Sequence, residues 1–335
     1  ADTGPEDMGV EPQDFNIPGL SAPAQVYFDE LGVMHLVCVT DEDCFAVQGY
    51  FHAQERFAQM DVRRRFAKGT LAALFGAAAL PIDAQNRRDI ATRDGGRLED
   101  QILAASTPQM LAAFDAYSRG VNAWLADLRA GRHGARLADE SQGFENAVEA
   151  WAPRDSIIAG MAVVQGLSTH AGNEIAAAQA LAALSSSVAF DLYGLRPASP
   201  STILPRPGAT SLNPPGAAHR QIEHRLRPFR SVIDQVDVSG ISMDVDRGSN
   251  NWVIAPGNTR DGNALLANDP HLALENPALW TMCTMDSKSQ GQGTLHIGGM
   301  AVAGVPGVIL GQNENVAWGG TVTFFDHDDA YLETL

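Results

Sequence analysis

The sequence is poor in cysteine, in positive charge and in long apolar runs. Its three cysteines, Cys38, Cys44 and Cys283, are too few, and odd in number, for a disulfide framework. Lysine and arginine total 23 against 40 aspartates and glutamates, and the net charge of -17 disfavours nucleic acids and anionic membranes as partners. No run of about 18 apolar residues occurs, so we expect no membrane insertion.

Spacings typical of zinc sites, such as CxxC and HExxH, are also missing. Cys38 and Cys44 lie close enough in sequence to form a disulfide in an oxidising compartment. We favour the alternative, in which they are buried free thiols that pack as small hydrophobic side chains. The N-terminal residues contain no basic and apolar signal region, so either the protein is cytoplasmic or a signal was removed or left out.

What is present predicts a globular chain of 335 residues with a large core. The N-terminal part is mostly helical in pattern, residues 197–248 have the proline-rich composition of a connector, and strand patterns follow. Arg56 lies within a helical segment and needs a carboxylate or carbonyl partner. The predicted early elements are a hairpin over 24–28 and 33–40 and helices over 43–65, 102–128 (one or two, with a cap at 106–108) and 156–167. The predicted later strands cover 250–256, 264–268, 280–285, 294–299, 308–310, 316–325 and 331–335. We expect residues 252–254 to pair with 265–267 in a hairpin that places Ser249 near His271.

A glycine precedes a serine at Gly248-Ser249, and a β-type run follows at 252–254. Gly248 permits strained backbone, and a hydroxyl beside a strained peptide can attack the preceding carbonyl and break the chain. The freed Ser249 would carry a hydroxyl and an α-amine whose ordinary pKa near 8 makes it a base for its own hydroxyl. The alternative is a plain turn into a strand.

Several motifs, in order and with matching spacing, resemble the penicillin acylase family of N-terminal nucleophile hydrolases. The first part of the chain contributes three of them: Gly49-Tyr50-Phe51-His52-Ala53-Gln54-Glu55-Arg56-Phe57-Ala58-Gln59-Met60-Asp61, Trp151-Ala152-Pro153-Arg154-Asp155 and Asn173-Glu174-Ile175. The last part contributes four: Gly248-Ser249-Asn250-Asn251-Trp252-Val253-Ile254, Asn268-Asp269-Pro270-His271, Pro306-Gly307 and Asn315-Val316-Ala317-Trp318-Gly319.

The resemblance implies an α+β protein with the four-layer αββα fold of N-terminal nucleophile hydrolases. Residues 1–196 would be the mostly helical α-subunit part, 197–248 a spacer peptide, and 249–335 the beginning of the β subunit. The chain would then be truncated at its C-terminus. It would form an α/β heterodimer from one precursor and act in the periplasm or outside the cell.

The family's catalytic residues can be carried over to matching positions. The resemblance implies autocleavage between Gly248 and Ser249, with Ser249 as the nucleophile. It implies that His271 holds the serine amine and hydroxyl through a side-chain or backbone contact, against the alternative of a histidine satisfied by its own turn. The backbone N–H of Val322 would stabilise the oxyanion. The second oxyanion donor of the family would lie beyond Leu335.

The resemblance also implies an acyl pocket and a structural calcium ion, with no organic cofactor. The pocket would be lined by aliphatic or small residues where the members that prefer phenylacetyl groups have aromatic ones: Val164, Ser168, Leu272 and Leu310. The calcium ligands would be oxygens, as this cation requires: the side chains of Glu174, Asp326 and Asp329 and the carbonyl of Asp328. The alternative for the acidic residues is a solvated turn.

Together these features predict an autoproteolytically activated hydrolase of a small acyl amide, preferably an N-acyl-homoserine lactone or a related amide. A β-lactam side-chain acylase is the near alternative. A second alternative, from another class, is a non-catalytic calcium-stabilised binding module in which Gly248-Ser249 is never cut. A third is a metallohydrolase that uses Asp269, His271, Asp326 and His327.

Overall fold

The computed structural model describes residues 14–137, 147–166, 249–272 and 276–322. All of these residues belong to one compact unit. The proposed spacer, 197–248, lies outside the described residues, as do the predicted strand at 331–335 and the end of the one at 316–325.

Helices dominate the first half of the described chain. The longest begins after Thr40, whose side chain accepts a hydrogen bond from the Asp43 N–H while the Asp43 carboxylate accepts one from the Thr40 N–H. This reciprocal capping box fixes the first turn, and Gly69 ends the helix in the left-handed conformation. The helices are α1 (Asp41–Lys68), α2 (Ala72–Phe75), α3 (Leu80–Asp89), α4 (Leu98–Ala105), α5 (Pro108–Ala130) and α6 (Pro153–Gly166).

The predicted helices are confirmed, with shifted ends. The segment at 102–128 forms two helices, and Thr107 caps the second by accepting from the Met110 N–H. No described helix is by itself long and apolar enough to cross a bilayer. One pair, Asp41–Lys68 with Ala72–Asp89, meets the length and composition limits when its two members are joined, although the chain bends by 112° between them.

Helices α1 and α5 approach each other closely at two glycines. A Cβ atom on Gly120 would lie 1.7 Å from the Ala46 carbonyl oxygen, and one on Gly49 would lie 2.2 Å from the Tyr117 carbonyl oxygen. Close backbone approach lets Tyr50, Tyr117 and other large side chains pack into one core with no exposed surface.

The main sheet has six strands in the spatial order β1-β2-β5-β6-β7-β8. Within it, β2 pairs with β5 in parallel, and the other neighbours are antiparallel. Side chains alternate along each strand, so Met34, Leu36, Cys283 and Met285 are buried in the core that the helices cover. The strands are β1 (Gln25–Phe28), β2 (Met34–Val37), β5 (Trp280–Asp286), β6 (His296–Val302), β7 (Leu310–Asn313) and β8 (Ala317–Trp318).

The remaining two strands, β3 (Ser249–Ile254) and β4 (Leu265–Pro270), form a separate antiparallel hairpin. The predicted pairing of 252–254 with 265–267 is confirmed, since Trp252 lies opposite Ala267 and Ile254 opposite Leu265. The same register places Ser249 opposite Pro270, next to His271.

The prediction of free thiols at Cys38 and Cys44 is wrong. These residues form a disulfide with their Cα atoms 5.5 Å apart, linking the end of β2 to the first turn of α1. The helix cap brings the two side chains within bonding reach, a geometry that sequence separation alone does not indicate. Cys283 is the buried free thiol of the three, and burial raises its pKa to about 11.

Candidate active site

The two faces of the β3–β4 hairpin carry different groups. Because side chains alternate along a strand, Ser249 and Asn251 belong to the same face as Asn268, the residue opposite Asn251. Asn250 belongs to the other face, with Asp269 directly opposite it. The hairpin therefore separates the serine hydroxyl from the polar groups around Asp269.

His271 continues the second face. Its Nε2 atom lies 2.9 Å from Oδ2 of Asp269 and 3.5 Å from the side-chain nitrogen of Asn250. The His271 side chain is 38% exposed and that of Asp269 is 74% exposed, so this contact is open to solvent. Of the two contacts predicted between His271 and Ser249, the strand register is compatible with the backbone one, because Pro270 is directly opposite Ser249.

The first face of the hairpin meets the chain just after β8. The Asn268 side chain donates to the Asn250 carbonyl at 3.0 Å and to the Gly320 carbonyl at 2.9 Å, and it accepts from the Gly320 N–H at 3.0 Å. Since both carbonyl oxygens lie within 3.0 Å of one nitrogen, they are no more than about 6 Å apart. Asn250 follows Ser249, and Gly320 precedes Val322 by two residues, so the nucleophile and the predicted oxyanion donor lie in one region.

The predicted pocket residues belong to separate segments of the chain. Leu310 is half-buried, and its Cδ2 atom would lie 3.5 Å from a Cβ atom on Gly320, so it adjoins the region of Ser249 and Val322. Leu272 directly follows His271. Val164 is 58% exposed, four residues after Gly160, where a Cβ atom would be 3.8 Å from Val305. Ser168 lies outside the described residues.

Two side chains of α1 hold the segment that leads into β5. Arg56 donates to the Ala278 carbonyl at 2.9 Å, which confirms the predicted carbonyl partner. Gln59 donates to the carbonyls of Pro277 and Ala278 at 3.1 and 3.3 Å. These bonds anchor the chain a few residues beyond His271 to the helical core.

Sequence reasoning missed the buried charges of α1. Asp61 accepts from Arg64 Nε at 2.6 Å and from Arg65 Nε at 2.9 Å, and Arg64 also contacts Asp155 at 3.2 Å. The Asp155 carboxylate accepts from Lys68 at 2.8 Å. The sequence shows that Asp61 and Arg65 are four residues apart on a helix, but it does not show that Asp155, at the start of α6, contacts Arg64 and Lys68. The network joins α1 to α6 and has a structural role.

A cavity of about 410 Å³ opens on the half-exposed face of the main sheet. It contains His35, whose Nδ1 lies 2.9 Å from Thr284 Oγ1 and whose Nε2 lies 3.2 Å from the Asp29 carboxylate. None of the predicted catalytic or acyl-pocket residues lines this cavity. It is therefore distinct from the region around Ser249.

The predicted calcium ligands Glu174, Asp326, Asp328 and Asp329 lie outside the described residues, as do Gly248 and His327. Among residues 14–137, 147–166, 249–272 and 276–322, no three histidine, cysteine, aspartate or glutamate side chains are grouped to hold a metal ion. The calcium site and the cleavage site therefore stay predictions.

Two acylases are similar in sequence to nearly the whole of this chain. Acyl-homoserine lactone acylase QuiP of Pseudomonas aeruginosa is 32% identical over 337 residues, covering 100% of this chain and 37% of that protein. Penicillin acylase 2 proenzyme of Pseudomonas sp. (strain SE83) is 32% identical over 336 residues, covering 95% of this chain and 38% of that protein. The chain thus spans well under half the length of these relatives.

A solved structure of a thermostable penicillin G acylase from Alcaligenes faecalis is 25% identical, with a TM-score of 0.44, and the match covers 56% of this chain and 98% of that one. The family profile described as penicillin amidase matches residues 23–335, which is nearly the whole sequence. The motifs around Gly49, Ser249 and Asn315 all fall within the matched region. The chain therefore belongs to the penicillin amidase family.

Proposed function

We propose that this chain carries the nucleophile of a self-cleaving amidohydrolase that removes the acyl group from small acyl amides. The observation that carries the proposal is the position of Ser249. Ser249 is the first residue of β3 and lies on the same face of the hairpin as Asn268. The Asn268 side chain is hydrogen-bonded to Gly320, which precedes the proposed oxyanion donor Val322 by two residues. The relatives named acyl-homoserine lactone acylase and penicillin acylase support the same class of reaction.

Activation begins with attack of the Ser249 hydroxyl on the Gly248 carbonyl. The peptide C–N bond breaks as the ester C–O bond forms, and water then hydrolyses the ester. This releases the Gly248 carboxylate and leaves Ser249 with a free α-amine. The amine's ordinary pKa, near 8, leaves a usable fraction as free base at neutral pH.

In turnover the free amine takes the proton of the Ser249 hydroxyl as its oxygen attacks the amide carbonyl of the substrate. The Val322 N–H stabilises the oxyanion, and loss of one such donor costs roughly 10²–10³ in rate. The amine of the substrate leaves with the proton, and water releases the acid from the acyl-enzyme. His271 contributes through its backbone, since the register sets it beside Ser249.

For the acyl group we propose an aliphatic chain, as in an N-acyl-homoserine lactone. The aliphatic side chains of Leu310, Leu272 and Val164 suit such a chain better than a phenyl ring. A β-lactam side-chain acylase is the second candidate, because a penicillin acylase is as similar to this chain as the acyl-homoserine lactone acylase. A matched pair of decanoyl and phenylacetyl amides of one amine separates the two: faster decanoyl hydrolysis supports the first, and equal or reversed rates overturn it.

We also propose that the protein works in the periplasm or outside the cell, as an α/β heterodimer stabilised by calcium. The Cys38–Cys44 disulfide supports the location, because disulfides persist mainly in oxidising compartments. Glu174 and Asp326, Asp328 and Asp329 would supply calcium oxygens. A chelator should then lower the melting temperature, and calcium but not magnesium should restore it.

The test of cleavage is intact mass and N-terminal sequencing of the full-length protein, beside its Ser249→Ala and Ser289→Ala variants. Ser289 is an exposed serine in the turn after β5, where its hydroxyl donates to the Asp286 carboxylate, so Ser289→Ala controls for the loss of a hydroxyl. We expect a new chain beginning Ser-Asn-Asn-Trp in the wild type and in Ser289→Ala only. One uncut chain in all three, with no acyl-amide hydrolysis by the wild type, would instead support a non-catalytic binding module.

A further inference from the structure

The Asn268 side chain makes three hydrogen bonds to two segments that are distant in sequence. Its amide nitrogen has two hydrogens, and it donates to Asn250 and to Gly320. Its oxygen accepts from the Gly320 N–H, so Gly320 is held by both its carbonyl and its amide. Both hydrogen bonds that the structure describes between the hairpin and Gly320 come from this side chain.

Gly319 has no room for a larger residue unless the neighbouring side chains move. A Cβ atom on Gly319 would lie 2.7 Å from the Asn268 oxygen and 2.8 Å from the Asn251 side-chain nitrogen, and real Cβ contacts are longer than this. On Gly320 the added atom would meet only Leu310, at an ordinary 3.5 Å. The Cα atom of Gly319 therefore faces the Asn268 amide, whereas Gly320 contacts that amide through its backbone N–H and carbonyl.

We propose that Asn268 is a positioning residue that sets the distance between the Ser249 nucleophile and the Val322 N–H. This role rests on the proposed function, in which both groups act on one carbonyl. Asn268 positions Ser249 by binding the carbonyl of the next residue, Asn250. It positions the Val322 N–H by binding the backbone of Gly320, two residues before it. The oxyanion donor must sit within hydrogen-bond distance of the substrate's carbonyl oxygen, which takes its negative charge and its new position only on attack, so a small change in this spacing slows chemistry more than binding.

The main experiment is the isosteric variant Asn268→Asp in the full-length protein. An aspartate can accept from Gly320 but cannot donate, and its negative charge would face two carbonyl oxygens now within 3.0 Å of the amide nitrogen. We expect kcat on the decanoyl amide to fall about 100-fold, the loss typical of a misplacement near 1 Å, with KM unchanged within about twofold. Appearance of the chain beginning at Ser249 should slow as well.

The matched control is Asn258→Asp. Asn258 is exposed in the turn region between β3 and β4, so this variant makes the same chemical change outside the contact. It should retain the kcat, KM and processing rate of the wild type. The comparison separates loss of the Asn268 contact from the general effect of a deamidated asparagine in this hairpin.

A second pair of variants keeps Asn268 and changes its neighbour. Gly319→Ala should displace the Asn268 side chain and lower kcat, and Gly320→Ala should cause a clearly smaller loss. Hydrogen exchange gives a readout without catalysis: the Gly320 amide should exchange faster in Asn268→Leu and in Gly319→Ala than in the wild type, because it loses its acceptor. This pair also decides the question if Asn268→Asp does not fold.

The outcomes are distinguishable. A wild-type kcat in Asn268→Asp, a loss confined to KM, or equal effects of Gly319→Ala and Gly320→Ala would overturn the positioning role while leaving the proposed function intact. A wild-type protein that is neither cut nor active would overturn the proposed function, and the role of Asn268 with it. A fall in kcat with KM retained, together with faster Gly320 exchange, supports the proposal.

Discussion

His52 is expected to make stability fall as the pH is lowered, and the structure gives both the sign and the size. Its ring is buried between α1 and α5, with Nδ1 2.8 Å from the Tyr117 hydroxyl, and that hydroxyl accepts the Gly304 N–H at 2.8 Å. Among the described residues, His52 Nε2 has no hydrogen-bond partner. Burial, with a smaller contribution from the Arg56 charge, lowers the His52 pKa to about 3.

The unfolded chain therefore binds a proton at His52 at a higher pH than the folded chain does. Stability from the neutral ring is fully present above the unfolded pKa of about 6.5 and is lost as the pH falls from there toward 3. One such proton changes the free energy of unfolding by at most about 1.4 kcal/mol per pH unit. Over the whole window this reaches roughly 5 kcal/mol as an upper limit, which is comparable to the total stability of many domains.

The measurement is urea unfolding between pH 7.5 and 4.5 for the parent and for His52→Gln, both in a Ser249→Ala background, which the proposed function expects to stay one covalent chain. Glutamine is neutral at every pH, and its amide can still contact the Tyr117 hydroxyl. Carboxylates titrate equally in both proteins, so their effect cancels in the difference. We expect the parent to lose stability more steeply below pH 6.5. Parallel pH profiles, or an NMR titration of His52 near pH 6.5, would refute this reasoning.

Three further predictions concern packing, hydrogen bonding and the disulfide. Gly120→Ala should destabilise the fold by about 3 kcal/mol or more, because the added carbon meets a backbone carbonyl at 1.7 Å. Gly160 lies in α6, where an added Cβ atom would make only an ordinary contact, so Gly160→Ala should be neutral or stabilise the fold by up to about 1 kcal/mol. Equal changes in melting temperature for the two variants would contradict both expectations. Burial alone would raise the Asp41 pKa, but hydrogen bonds from Ser287, Thr294 and Leu295 outweigh it, so the pKa is lowered. Asp41→Asn should therefore cost about 2 kcal/mol at pH 7, and denaturant titration should show this difference shrinking as the pH falls through the lowered pKa. Replacing Cys38 and Cys44 by serine should lower the free energy of unfolding by roughly 2 kcal/mol, because the unfolded chain gains the entropy that the disulfide removes. Reduction of the parent should lower its melting temperature to that of the variant.

Local patterns predicted most of the described elements, but they missed α2 and α3, and the strand predicted over 316–325 covers only Ala317–Trp318 among the described residues. Alternation and spacing located the hairpin that carries Ser249 and gave its register, because a strand must keep one face consistent along its length. The helix predicted from residue 43 begins two residues earlier, at Asp41, and the structure adds the reciprocal cap at Thr40. Arg56 was expected to need a partner and has one.

Contacts between segments that are distant in sequence could not be predicted from the sequence. The parallel pairing of β2 with β5, the carboxylate of Asp41 on the β5–β6 connection and the contact of Asn268 with Gly320 each join residues separated by 50 to more than 240 positions. A single sequence specifies which groups need partners but does not say which distant groups supply them. The disulfide was missed for a related reason, since its geometry depends on how the cap of α1 turns the chain.

The parallel pairing of β2 with β5 has a consequence for how the chain folds. His35 lies opposite Thr284, and the chain between them includes the proposed spacer and the Gly248-Ser249 peptide. Contacts of such long sequence separation form late, because the entropy of closing the loop is lost before the contact stabilises anything. Once the sheet is complete, strands from both sides of that peptide share hydrogen bonds in one layer. The two sides would then remain associated after a break at that peptide, and separated pieces would have to find each other in a concentration-dependent refolding step.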